Sequence, residues 1–391
     1  MHNKLAKLKR TVTFLAGISA VSIPAIAWAD WSIRELGALD GSYSVAKAIN
    51  DSGQVAGVDN SAGFSRAFIT GANGVGINYL DTLGGVGTYA ADINISGQVV
   101  GYSFTSAGST HAFITGANGV GMTDLGTLGG DYSIAYGVND FGQVVGVSST
   151  AGNAAYHAFI TGPGGVGMTD LTALRRISSV AYDINNSGQV VGSFSNARNT
   201  MQHAFITGEN GIGIKDLGSI QGATHSFAGG INDAGQVVGF SGFYDPLSGY
   251  LPGHAFVTDA DGLSLAELGT PIDSIANDIN DFGHVVGGLN SFCIQCTHSA
   301  FLYADDLITD LSLLAPVVAA GWTELSAVGI NNHGQIIGWG SLKDSAGGGS
   351  RAFLLSPDSP IVAIPEPETY AMLLTGLGLL GFVLRRRKQT R

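Results

Sequence analysis

Charge is scarce in this chain. Only 12% of its 391 residues are Asp, Glu, Lys or Arg, about half the ~25% of ordinary soluble domains. Basic residues are scarcest in the middle, because nine of the 18 lie at the two ends: Lys4, Lys7, Lys9, Arg10, Arg385, Arg386, Arg387, Lys388 and Arg391. With Glu366 and Glu368 also set aside, the stretch between the ends holds 9 basic against 28 acidic groups, a net −19. That balance argues against nucleic acid or anionic lipid as its partner and permits only weak divalent-cation binding. Cysteine is nearly absent, with Cys293 and Cys296 the whole supply. Long apolar runs are short as well. The stretch Thr369–Leu384 has 16 residues, which at ~1.5 Å per residue gives ~24 Å, slightly less than the ~30 Å hydrocarbon core.

Motifs for chemistry are missing too. No Ser/His/Asp order, carboxylate pair or nucleophile elbow stands out. Gly71-Ala72-Asn73-Gly74-Val75-Gly76 is followed by neither a helix nor Lys-Ser/Thr, so it reads as a hairpin turn on Asn-Gly, not a nucleotide loop. Asp259-Ala260-Asp261-Gly262 lacks the later acidic ligand of a calcium loop and reads as a polar turn. No cofactor is expected.

What the chain has is glycine, 59 residues, and repetition. The segment I-N-D-x-G-Q-V-V-G or a close variant recurs with its Asn at Asn50, Asn94, Asn139, Asn185, Asn232, Asn280 and Asn331. A spacing of roughly 44–51 residues is that of arrays built from one supersecondary unit per copy. In the third copy, Ser133–Val138 reads as a strand, Asn139–Gly142 as a turn, and Gln143–Ser148 as the returning strand. His157–Thr161 and Val166–Leu171 supply a third and a fourth strand. Four short strands per copy match a β-propeller blade. The last copy leaves the pattern at Ser356-Pro357, before its fourth strand. Trp31–Gly37 matches Met122–Gly126 in type and position, so it can complete that unit and remove an open edge. The expected fold is all-β, a seven-bladed β-propeller closed by the N-terminal strand. An open β-solenoid is the rival, but it would need capping units and none is visible.

The ends read as addresses. Residues 1–29 have a basic start, an apolar run and Ala27-Trp28-Ala29, which is a signal peptide with cleavage by signal peptidase before Asp30. An uncleaved N-terminal anchor is the alternative. At the other end Pro365-Glu366-Pro367 precedes the apolar stretch and Arg385-Arg386-Arg387-Lys388, a cluster that would stay cytoplasmic and leave the repeats outside. The expected divisions are 1–29, the repeat domain 30–357, a linker 358–368, and a transmembrane segment with basic tail, 369–391. In an oxidising compartment Cys293 and Cys296 form a small loop disulfide by default. Thr297 before His298 breaks a haem-attachment motif, and zinc would lack a fourth ligand.

Two resemblances follow. Residues 364–388 resemble the PEP-CTERM sorting signal. This implies recognition by an exosortase, a membrane-embedded cysteine transpeptidase, cleavage near Pro365–Pro367, and association with exopolysaccharide or biofilm matrix. A permanent single-pass anchor is the alternative. His111-Ala112-Phe113, His157-Ala158-Phe159, His203-Ala204-Phe205 and His254-Ala255-Phe256, with Arg66 and Arg351 in the His position of the first and last copies and His298-Ser299-Ala300-Phe301 in the sixth, resemble the HAF family of extracellular repeats. That resemblance implies no enzymatic activity. A ring of these histidines about one axis could bind metal, but Arg in two copies favours a structural part, each His bonding a turn of its own or the next unit. The repeated Asn likewise reads as a turn cap.

The expectation is thus an exported, non-catalytic binding or structural module at the cell surface, held at the membrane through the C-terminal helix before processing, with polysaccharide or matrix proteins as partners. The alternative is an extracellular propeller hydrolase or lyase. Three longer stretches, Gly242–Pro252, Phe292–His298 and Ser341–Gly349, fall between second and third strands of copies five to seven and could form a ligand platform.

Overall fold

The computed structural model describes residues 30–36, 43–60, 63–172, 178–195, 201–220, 222–243, 253–260, 262, 264–270, 273–289, 298–343 and 349–358. The signal peptide, Cys293 and Cys296, Pro365–Pro367 and the C-terminal apolar stretch lie outside these residues, as does most of the three longer connections. Among the described residues, no helix is long and apolar enough to cross a membrane.

The fold is all-β and mostly sheet. With repeats numbered 1 to 7 by their Asn, repeat 3 shows the common plan: Gly129–Val138, Val144–Thr150, Tyr156–Thr161 and Met168–Asp170, each strand antiparallel to the next. The first strand starts four residues before the sequence suggested and the fourth is shorter. Its length is set by pairing to Phe159–Thr161, not by its own composition. Repeats 2 and 3 are joined by one parallel bridge, Tyr132 to Thr110, and their strands count as one eight-stranded sheet. The other described sheets have four strands.

Repeat 7 borrows a strand. Trp31–Glu35 runs antiparallel to Arg351–Pro357, with Ile33 opposite Leu355. Arg34 also donates to the carbonyls of Asn73 and Gly74 at 3.1 and 3.0 Å, pinning the borrowed strand to repeat 1. Arg351 meets Glu35 at 2.7 Å.

The core lies between neighbouring sheets. Ile69 and Leu80 of repeat 1 pack with Ile93 and Phe113 of repeat 2. Six more clusters link the successive pairs, the last joining Leu36, Ala352 and Leu354 to Ala46 and Val55 of repeat 1. Each repeat places one phenylalanine in this core: Phe68, Phe113, Phe159, Phe205, Phe256, Phe301 and Phe353 are all at 0% exposure. Full burial of such a side chain contributes roughly 1.5–3 kcal/mol.

Strand direction defines two faces. First and third strands end together, and there the Asn turn meets the turn after the third strand: Gly164 and Gly165 donate to the carbonyls of Phe141 and Gly142 at 3.1 and 2.9 Å. This turn face also holds both described ends, since the amide of Asp358 donates to the carbonyl of Asp30 at 2.6 Å. The connections from second to third strand lie on the opposite, loop face.

Candidate functional site

The seven repeated asparagines converge on one axis. Asn50 Nδ2 donates to the carbonyl of Asn94, Asn94 to Asn139, Asn139 to Asn185, and so on, each at 2.9–3.1 Å. Asn331 donates back to Asn50 at 3.0 Å, so the cycle returns to its start. Each Oδ1 accepts the amide four residues on, as in Gln143 N to Asn139 at 3.0 Å. In six repeats the same Nδ2 or its neighbour Gln completes the turn, as in Asn139 to Gln143 Oε1 at 2.8 Å. One amide therefore caps its own turn and ties it to the next repeat.

A second ring lies one residue further on. Asp140, Asp233, Asp281 and Asp51 alternate in part with Asn186 and Asn332. Asn186 Nδ2 bridges Asp140 and Asp233 at 3.0 and 2.9 Å, and Asn332 Nδ2 bridges Asp281 and Asp51 at 2.8 and 3.0 Å. Carboxylate oxygens also accept amides of the preceding repeat, as in Ile95 N to Asp140 at 3.0 Å. Together the rings line an axial cavity of about 220 Å³ to which every repeat contributes.

Below this mouth sit three carboxylates that sequence reasoning missed. Asp92, Asp183 and Asp278 occupy the position two before the Asn in repeats 2, 4 and 6. One oxygen accepts the following amide of its own strand, Ile93, Ile184 or Ile279, at 2.7–2.8 Å. The other accepts an amide of the next repeat, Val138, Ile231 or Ile330, at 2.8–2.9 Å. Burial pushes Asp92 up to about 7, against the pull of its two amides and with Asp278 and Asp140 raising it further. Burial raises Asp278 to about 6, and it raises Asp183 well above the usual carboxylate range, with Asp92 and Asp278 adding to the effect. Protein surrounds all three groups, yet each residue keeps some solvent-accessible surface. Repeats 3, 5 and 7 have Gly137, Gly230 and Gly329 at the same position. A Cβ on Gly137 would stand 3.0 Å from Asp183 Cα. This Asp/Gly alternation was the available signal.

The loop-face end of the inner strands is aromatic. Tyr89 stacks on Tyr102 at 4.4 Å, Tyr136 meets Tyr182 at 5.6 Å, and Phe227 stacks on Phe240 at 5.0 Å. Burial first, then mutual repulsion of the ionised forms, pushes Tyr102 and Tyr136 up to about 12, so both are neutral phenols at any physiological pH. Burial lowers Lys47 in repeat 1. Tyr182, Phe227, Gly229, Phe240, Ile275 and Asn277 line a cavity of about 250 Å³.

The recurrent histidines do not share the axis. His111, His157 and His203 each pair through Nδ1 with the Asp thirteen residues on, Asp124, Asp170 and Asp216, at 2.8, 2.7 and 3.1 Å. Their partners are fourth-strand carboxylates of the same repeat, where the sequence reading placed turns. His254 lines a cavity of about 180 Å³ with Glu267, again thirteen residues on. Arg66 lies 3.7 Å over the ring of Tyr79 at the corresponding place. In repeat 7, Glu35 of the borrowed strand fills that place for Arg351. Among the described residues no group of three or more His, Cys, Asp or Glu is placed to hold a metal ion. The Asp259 carbonyl accepts Gly262 N at 2.9 Å, closing a turn.

Comparison with known proteins places two features. Residues 363–388 match the PEP-CTERM protein-sorting motif. That motif implies an exported protein and is a substrate signal for exosortase-type processing. No curated protein matches the sequence. In structure the chain is similar to streptogramin B lyase, with 14% identity over 84% of this chain and 99% of that one, TM-score 0.51. It is also similar to the β-propeller domain of the Trilobed protease from Pyrococcus furiosus, whose velcro topology is open, with 8% identity over 82% and 98% of the two chains, TM-score 0.51. A third similarity is to the acylaminoacyl peptidase of Pyrococcus horikoshii, with 8% identity, TM-score 0.50, over 83% of this chain and 53% of that one. At such identities the likeness concerns the fold alone: an all-β chain with propeller-like neighbours.

Proposed function

We propose that this chain is an exported seven-bladed β-propeller of HAF-type repeats, delivered by exosortase processing and acting as a non-catalytic binding module for exopolysaccharide or matrix proteins at the cell surface. The sorting motif at residues 363–388 carries the reading. The return of the Asn cycle to Asn50 and the borrowed strand support seven blades in a closed ring. Absence of catalysis is supported by how the axial carboxylates are used: Asp92, Asp183 and Asp278 hold backbone amides of adjoining repeats, and the mouth carboxylates hold one another through Asn186 and Asn332. Both oxygens of each buried Asp are thus engaged by backbone amides, which supports a structural part for these carboxylates.

Mass spectrometry of the exported protein, with retention on the producing cell's own matrix polymers, tests this. The expected form lacks residues beyond Pro365–Pro367 and is retained. An intact Arg385–Lys388 peptide would exclude processing, and no retention on any matrix polymer would exclude the binding module.

A further inference from the structure

We propose that the cavity at Gly229 is a subsite for one six-membered sugar ring of a neutral glycan. This rests on the binding reading above and adds its place and ligand class.

Three residues before each Asn, the repeats carry Lys47, Ala91, Tyr136, Tyr182, Gly229, Asn277 and Val328. Only repeat 5 has no side chain there, and the space is left open between repeats 4, 5 and 6 as the 250 Å³ cavity. That volume lies below the ~300–1,000 Å³ of sites for drug-sized ligands and suits one small ring. Gly229 is exposed, three residues or roughly 10 Å of strand from Asn232, on the loop-face side of the Asn ring. Both described chain ends lie on the turn face. A membrane-held precursor would therefore present this end of the channel outward.

The walls define the ligand. Phe227 is half-buried and backed by Phe240 with their planes 7° apart, so one flat apolar ring face is held in place. Two polar side chains lie in the lining. Asn277 Nδ2 donates to the carbonyl of Ala327 at 2.7 Å, which fixes the amide. Its Oδ1 has no protein donor among the described residues and can accept a hydroxyl. Burial raises the Tyr182 phenol, against the pull of a hydrogen bond from Ser193 to its oxygen, so it stays protonated and its O–H can donate. A pyranose has an apolar C–H face for the phenylalanine and a rim of hydroxyls for the amide and phenol. No charged side chain lines the cavity, and the −18 of the repeat domain, 9 basic against 27 acidic groups in residues 30–357, opposes polyanions. An apolar peptide side chain would use the rings and leave the amide oxygen unpaired.

The substitution Gly229→Tyr tests the site. It installs the residue that repeats 3 and 4 already carry, and its Cβ would meet the carbonyls of Ala276 and Asn277 at 3.4 Å, ordinary contact. Calorimetric titration of the full chain uses hexamers of glucose, mannose and N-acetylglucosamine, with polygalacturonate as the polyanion. At least one neutral hexamer binds, and Gly229→Tyr weakens it about tenfold or more with an unchanged melting temperature. Should that variant fail to fold, Phe227→Leu removes the ring face and reads the same loss. Equal affinity in wild type and variant overturns the site but leaves the binding module standing. Preference for polygalacturonate overturns the neutral class. Failure of every hexamer to bind overturns the proposal, and only if native matrix polymers also fail does the binding module fall with it.

Discussion

Asp92, Asp183 and Asp278 lie buried around the axis with no cation partner among the described residues, and each carboxyl is raised above its ordinary range. Each is held by two amide donors, which favour the ionised form, but desolvation wins. The sign follows. A carboxyl raised in the folded state binds its proton more tightly there than in the unfolded chain. Its stabilising share is complete below the ordinary value near 3.8 and is lost as pH rises to about 6 for Asp278 and about 7 for Asp92. Melting temperature should therefore fall from these groups between pH 4 and 8, and Asp92→Asn should show a shallower slope than wild type in that window. Parallel slopes by scanning calorimetry would refute the assignment. The neighbouring Asn50–Asn331 set was legible in the sequence because all seven copies share it, and one amide explains why: it caps a turn and reaches the next repeat at once. The aspartates were not legible because a position that is Asp in alternate repeats and Gly, or Ala48, in the others looks like drift until the next repeat's amide is seen against the carboxylate.

At the scale of the strand, one glycine decides how closely first and second strands approach. Gly146 sits opposite Ala135, beside a register shift between Ala135 and Gly137. A Cβ there would lie 2.0 Å from the Ile134 carbonyl, and no side chain can swing clear because the obstacle is backbone. The equivalent glycines, Gly101 and Gly338 among them, meet the same obstacle at 1.9 Å. Gly146→Ala should therefore separate the strands locally and expose Phe159, destabilising by about 3 kcal/mol or more, comparable with a large core truncation. Urea unfolding checks it, and a loss below ~1 kcal/mol would mean the bulge relaxes freely. The inner strands were read short because their first residues, Gly129-Gly130-Asp131, look like a turn and become strand only by pairing Gly129 with Thr150. The third-strand residue and its fourth-strand partner form a rule visible only in three dimensions. His–Asp in repeats 2 to 4, Arg66 over Tyr79, and Arg351 with Glu35 are one arrangement.

For the whole molecule the decisive contact lies between residues more than 300 positions apart. Five residues, Trp31–Glu35, complete repeat 7, and Leu36 follows them into the core between repeats 7 and 1 at 2% exposure. That cluster sets Ala46, Val55, Ile337, Ala352 and Leu354 around it, without the phenylalanine that each of the other six holds. If the ring is closed thermodynamically, this junction is as strong as any other and cannot open without exposing the faces of repeats 1 and 7. Leu36→Ala should then cost about 2–5 kcal/mol, the range for a buried leucine, with a single unfolding transition retained. A junction that merely frays would respond differently: the loss would stay below ~1 kcal/mol, with amide exchange of Ile33 and Leu355 near that of a free end. Hydrogen exchange beside urea unfolding separates the two. The outcome also bears on export. Asp30 and Asp358 are hydrogen-bonded, and Asp358 stands seven residues before Pro365. At ~3.3 Å per extended residue the expected cut falls within roughly 23 Å of the junction. A tightly closed junction would let processing act on a finished ring, its turn face toward the membrane and its aromatic channel end outward.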